Sequence, residues 1–223
     1  MNTLIVHTGG IGDFILTCPT IHELAKNSSI TIAGNTDRVS IAVQAGIAKR
    51  ALPLDSIDFH TLFNDPSEKL IASLKPYQQI IVWMSDTDNT IRNTLNQIAT
   101  ASIRVFPGLP PKHWNTHASR YFQKCLQLPT IHPVYIPAQK TRNKYDIIIH
   151  PGSGDTKKNW SLEKFHSLAK RLQEKGSAIT WCLGPAELER NTNLPEMQVL
   201  QCNSLSELTR HLANANLYIG NDS

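Results

Sequence analysis

Short continuous apolar runs alternate along the chain with stretches whose apolar residues recur at helical spacing. Leu4-Ile5-Val6 has the length of a buried strand, and Gly9-Gly10-Ile11-Gly12 reads as the turn after it. A helix is expected from about Asp13 to Lys26, kinked at Pro19, whose ring removes a backbone donor and crowds the preceding turn. Strands are expected at Ile30–Ala33, Ala48–Leu52, Gln79–Met84 and Ile103–Phe106. The helices between them are expected at Asp37–Ala45, Ser67–Leu74 and Thr90–Ala99. Leu128 to Lys144 carries Pro129, Pro133 and Pro137 with little periodicity and reads as a linker. The alternation then restarts. Strands are expected at Tyr145–His150, Ala178–Leu183, Gln198–Gln201 and Leu217–Ile219, and helices at Leu162–Lys175, Ala186–Arg190 and Leu205–Ala213.

Near-continuous apolar strands alternating with helices are the signature of parallel sheets covered on both faces. The expected fold is therefore α/β, with two doubly wound Rossmann-like domains facing a cleft. An N-terminal domain at 1–128, a linker at 129–144 and a C-terminal domain at 145–223 follow from the pattern. Open α/β sheets bind ligands at the carboxyl ends of their strands, so the loops there are the ones to search.

Composition narrows the function without naming it. The net charge is only +4, and no dense basic run occurs, Lys157–Lys158 being the only adjacent pair of lysines, which excludes a nucleic-acid-binding composition. That balance does suit a protein handling anionic substrates near anionic lipid. Cys18, Cys125, Cys182 and Cys202 form no CxxC pair, so they read as buried or half-buried thiols in a reducing compartment. The nine histidines show no metal-ligand spacing, and no metal is assigned. No apolar run is long enough to span a bilayer, and the start of the chain lacks the plan of a signal peptide, so a cytoplasmic location is expected.

Three loops carry candidate chemistry. In His150 to Trp160 (HPGSGDTKKNW), Gly152 and Gly154 let the backbone approach a ligand closely. Backbone amides there can cradle phosphate oxygens, Ser153 and Thr156 add hydroxyls, and Lys157 or Lys158 can neutralise a diphosphate. The helix that follows points its positive end the same way. The spacing is not that of a Walker loop. An ordinary strand–helix loop is the competing reading: Ser161 suits an N-cap, Trp160 and Phe165 have the spacing of a hydrophobic staple, and Gly176 suits a helix stop. The second loop ends in Gly12-Asp13, whose acid could take a proton from an acceptor hydroxyl or simply favour the helix macrodipole. The third is Gly220-Asn221-Asp222-Ser223, after the last strand, where Asp222 could bind sugar hydroxyls and Ser223 a phosphate.

Together these segments resemble the heptosyltransferase family, which moves heptose from ADP-heptose onto the inner core of lipopolysaccharide. The resemblance rests on four segments in order. They are Gly12-Asp13 with Thr17 and Pro19, His150 to Gly154 followed by Lys158-Asn159-Trp160, Gly184-Pro185-Ala186-Glu187, and Gly220 to Ser223. It implies a GT-B fold and an inverting, metal-independent transfer needing no cofactor beyond the ADP-sugar donor. By carry-over, Asp13 is the general base. Gly10 and Gly12 shape the acceptor-side loop. Ser153, Gly154, Lys158 and Ser223 hold the departing diphosphate, Glu187 contacts the ribose, and Asp222 holds the donor sugar. The implied partners are a nucleotide-sugar donor and a lipid-linked saccharide acceptor at the inner membrane surface, with no nucleic acid and no transmembrane segment.

The chain also departs from that pattern. Family members continue past Gly-Asn-Asp-Ser into another helix, so a C-terminally truncated second domain is expected, and with it either a shortened enzyme or a remnant or subunit that binds without turnover. His7 stands where the family often carries Lys or Arg. Asp86-Thr87-Asp88 offers a rival chemistry, since an Asp-x-Asp after a strand is how metal-dependent GT-A enzymes hold a divalent ion. The plainer reading is a turn in which Asp88 or Asn89 caps the next helix.

Overall fold

A computed structural model describes residues 1–129, 144–152, 159–184, 199–202 and 204–221. The chain divides into two compact units, Met1–Pro137 and Ala138–Ser223.

The first unit is built on β1 (Asn2–His7), β2 (Ser29–Gly34), β3 (Arg50–Pro53), β4 (Gln79–Trp83) and β5 (Ser102–Phe106). Their order is β3-β2-β1-β4-β5, every pair parallel, so the chain reverses its direction of winding beside β1. The helices are α1 (Ile11–Ala25), α2 (Thr36–Gln44), α3 (Glu68–Leu74), α4 (Thr90–Ile98) and α5 (Ala118–Cys125). Side chains cap the starts of α2 and α3. The Asn35 side chain accepts from the Arg38 amide, and the Ser67 hydroxyl from the Leu70 amide. α1 runs unbroken through Pro19. Two 3-10 turns, Leu54–Ile57 and Phe59–Phe63, lie where the pattern predicts no element. They place Ile57, Phe59 and Leu62 in the core.

Alternation along the strands divides this core into two layers. Leu4, Val6, Ile80 and Val82 face one side, with the 3-10 turns, α3 and α4. Ile5, His7, Ile81 and Trp83 face the other, where Phe14 of α1 meets the His7 ring at 5.2 Å and Phe122 of α5 meets Trp83 at 5.5 Å. Each fully buried Leu, Ile or Phe contributes on the order of 1.5–3 kcal/mol. α5 is a helix that the hydrophobic pattern does not reveal. Its buried face is short, Tyr121-Phe122-Gln123, and the Tyr121 hydroxyl donates to the Pro107 carbonyl at 3.0 Å.

The second unit contains β6 (Tyr145–His150), α6 (Leu162–Gln173), β7 (Ile179–Leu183), β8 (Val199–Gln201), α7 (Leu205–Leu212) and β9 (Ala215–Gly220). Its parallel sheet has the order β8-β7-β6-β9, again with the reversal beside the first strand. Phe165 and Ala169 of α6 pack on Ile147, Ile149, Ile179 and Trp181. α6 ends as expected: Gly176 takes φ +89° and its amide returns to the Gln173 carbonyl. The expected helix at Ala186–Arg190 lies outside the described residues. The four cysteines form no disulfide; Cys18 and Cys182 are buried and Cys125 and Cys202 half-buried.

Two packing details carry predictions. Gly34 pairs with His7 across the β1–β2 ladder. A Cβ at Gly34 would overlap the His7 carbonyl oxygen and sit 2.9 Å from Val39 Cγ1. Since one obstacle is backbone, Gly34→Ala is expected to lower stability by about 1–3 kcal/mol, read as a lower urea midpoint. An unchanged midpoint would refute the close approach. His7 itself is 2% exposed, and its Nε2 has no hydrogen-bond partner among the described residues. Burial pushes its pKa down from 6.5 to about 4; the Asp13 carboxylate opposes this and the Arg38 guanidinium reinforces it. The unfolded chain therefore binds the proton near pH 6.5 and the folded unit only near pH 4. This contribution to stability is full above about pH 6.5 and is lost as pH falls towards 4. The loss is on the order of 3 kcal/mol. His7→Leu is expected to flatten the pH dependence of first-unit unfolding across that window. Equal slopes for His7→Leu and the wild type would sink the assignment.

Candidate functional site

In each unit the central strand delivers its following loop to the point where the winding reverses. That is where an open parallel sheet leaves room for a ligand. In the first unit β1 ends at His7, and Thr8-Gly9-Gly10 leads into α1 with Gly10 as N-cap. Asp13 is the third residue of the helix. Its Oδ2 accepts from the Gly10 amide at 3.0 Å, which fixes the carboxylate at the mouth of the loop. Asp13 is half-buried, and its Oδ1 makes no hydrogen bond among the described residues. From α2, Arg38 donates to the Gly9 carbonyl at 3.0 Å and pins the same loop. A Cβ at Gly9 would lie 2.8 Å from His7 Cε1 and 3.1 Å from Asp13 Cβ, so glycine is what lets ring and carboxylate share this corner. Gly10 and Gly12 are exposed on the same turn. The two readings of Asp13 are compatible, because the helix start engages only one of its oxygens.

The rival Asp-x-Asp site is otherwise engaged. Asp86 accepts from the amides of Ile91 and Arg92 at 2.9 and 3.1 Å. Asp88 accepts from the amide and hydroxyl of Thr90. Both carboxylates thus serve the first turn of α4. Asn89, at φ 60°, occupies the N-cap position without a side-chain cap.

In the second unit β6 and β9 run side by side and end together, His150 opposite Gly220. Pro151-Gly152 leaves β6, and Asn159-Trp160 returns to α6. Asn221, just past β9, touches both ends of that loop. Its Oδ1 accepts from the Trp160 amide at 2.8 Å, and its Nδ2 donates to the Pro151 carbonyl at 2.6 Å. The Tyr218 hydroxyl lies 3.3 Å from His150 Nδ1. The expected staple is present, with the Trp160 and Phe165 rings 5.0 Å apart and edge to face. Ser161 is the N-cap residue, but its hydroxyl does not cap an amide; it serves the Glu163 carboxylate, whose pKa is held down first by its own backbone amide and then by that hydroxyl. The remaining sequence-predicted residues, Ser153, Gly154, Lys158, Glu187, Asp222 and Ser223, lie outside the described residues. Pattern reading missed two participants. Arg38 carries no signal beyond its place in the first turn of α2, whereas Asn221 lies inside a quoted segment without an assigned role.

Among the described residues no helix is long and apolar enough to cross a membrane. Residues 115–223 match the model of glycosyltransferase family 9 (heptosyltransferase), a span that includes the second loop and leaves Asp13 outside it. No curated protein matches the sequence. Among solved structures, a glycosyl transferase family 9 protein from Veillonella parvula aligns at TM-score 0.74 and 17% identity, over 98% of this chain and 75% of that one. The E. coli heptosyltransferase WaaC with ADP aligns at TM-score 0.68 and 17% identity, over 100% of this chain and 82% of that one. E. coli ADP-heptose lps heptosyltransferase II aligns at TM-score 0.71 and 14% identity, over 100% of this chain and 80% of that one. Residues 115–223 thus match the glycosyltransferase family 9 (heptosyltransferase) model, and the fold of these solved glycosyltransferases is shared along the length of the chain.

Proposed function

We propose that the chain transfers a heptose or related sugar from an ADP-sugar to a lipopolysaccharide core acceptor, with inversion and without a metal ion or cofactor. The observation that supports this best is Asp13, presented half-buried at the carboxyl end of β1 with one oxygen held by the Gly10 amide. A carboxylate so oriented can act as general base. The acceptor hydroxyl gives its proton to Asp13 while its oxygen bonds to the anomeric carbon. The bond from that carbon to the diphosphate oxygen breaks on the opposite face, which inverts the centre and releases ADP. Gly10 and Gly12 leave the acceptor side open. Lys158, with Ser153, Gly154 and Ser223, receives the diphosphate charge, Glu187 holds the ribose, and Asp222 holds the sugar. The solved WaaC structure that contains ADP supports the choice of nucleotide. A cytoplasmic protein lying peripherally on the inner membrane suits the lipid-linked acceptor, and the net charge of +4 suits its anionic surface.

Transfer from ADP-heptose to heptose-deficient lipopolysaccharide tests the reading. Asp13→Asn is expected to lower kcat by at least about 100-fold with ADP affinity unchanged. Full turnover in that variant would remove Asp13 from the chemistry. Lys158→Ala is expected to weaken ADP binding by about 10-fold or more in calorimetry, from loss of a charge-assisted contact. Unchanged affinity would refute the phosphate role, and ADP binding without transfer by the unaltered chain would refute catalysis.

A further inference from the structure

We infer that Asn221 is a positioning residue that closes the donor-diphosphate loop by holding its two ends together. The inference rests on the proposed role of that loop and adds a residue to it. Its side-chain amide makes two opposite hydrogen bonds, as acceptor from Trp160 N–H and as donor to the Pro151 carbonyl. The partners settle which atom is which, because an N–H can only donate and a carbonyl can only accept. These contacts reach 61 and 70 positions back along the chain, so they tie the last described strand to the loop rather than completing a local turn.

The placement follows from the sheet. Parallel pairing of β6 with β9 brings Gly220 opposite His150, which sets Asn221 beside the start of the loop. A Cβ at Gly220 would lie 2.6 Å from the Tyr218 hydroxyl and 2.9 Å from its Cζ, so a side chain there would have to push the exposed ring aside. The Tyr218 ring therefore lies over Gly220, with its hydroxyl near His150, as a second link between the two strand ends. At the far end, the amide that Asn221 holds belongs to Trp160, immediately before the N-cap of α6, and the Trp160 ring rests on Phe165. One side chain thus sets where the loop leaves the sheet and where the helix begins. No common substitute does both. Aspartate lacks the donor, serine offers one atom, and glutamine carries the same groups on a longer arm.

The experiment compares unaltered chain, Asn221→Ala and Asn221→Gln by calorimetry with ADP, by transfer kinetics, and by hydrogen exchange at the Trp160 amide without ligand. Asn221→Ala is expected to speed exchange at Trp160, raise the ADP Kd about tenfold, and raise the donor KM while leaving the acceptor KM in place. Asn221→Gln is expected to recover part of the affinity. A merely structural role would reduce the folded fraction, and so the apparent kcat, while the Kd of the folded protein stayed put. Exchange at Trp160 unchanged in Asn221→Ala, or an ADP Kd within about twofold of the unaltered chain, overturns the inference. Absence of ADP binding by the unaltered chain is a different result and overturns the proposed function.

Discussion

Parallel pairing obliges each strand to be followed by a crossover, because two parallel neighbours cannot be joined by a tight turn. All the strand-to-helix loops of one sheet then leave from the same edge. Both sheets here obey this, and in both the reversal of winding falls beside the first strand, β1 in one unit and β6 in the other. The loops after those strands are left without a crossover directly above them. The candidate chemistry depends on this: Asp13 stands in the first turn after β1, and Pro151-Gly152 stands at the end of β6. The same edge collects parts distant in sequence, so Arg38 meets Gly9 and Asn221 meets Trp160.

Most of the strands were legible because burial on both faces leaves uninterrupted apolar runs, as in Gln79–Trp83 and Ile179–Leu183. Helices whose start carries a capping residue were legible to within a residue or two, as at Ser67 and Ser161, although the Ser161 hydroxyl turned out to serve a carboxylate. α5 was not. Its buried stretch is three residues, one of them Gln123, and pattern alone does not separate that from loop. The 3-10 turns were missed for a related reason, since an apolar residue every second or third position fits no regular period. At the site, residue types announced the acid and the glycines. They could not announce which oxygen of Asp13 caps α1, or that an asparagine within a quoted segment would bridge a loop, because both depend on register between strands.

The corner beneath Asp13 shows how charge is arranged there. His7 is buried and neutral at neutral pH, so it lends the carboxylate no positive partner. The Arg38 guanidinium at this corner is engaged with a carbonyl of the loop. The corner is therefore held by shape: aromatic packing of His7 against Phe14 and Trp83, and glycine where a side chain would collide. An anionic acceptor would meet less attraction from below the loop than a cationic residue at position 7 would provide.

The bridge made by Asn221 has a statistical-mechanical consequence. A segment anchored at one end explores space as a tether, whereas one whose two ends share a single anchor is a ring. Closing a ring of this size removes configurational freedom once, and the penalty grows only logarithmically with the number of residues enclosed. Here the two hydrogen bonds of Asn221 depend on the pairing of β6 with β9. An incoming diphosphate would then lose less of its binding energy to ordering the chain around it, and its affinity would reflect contact rather than recruitment.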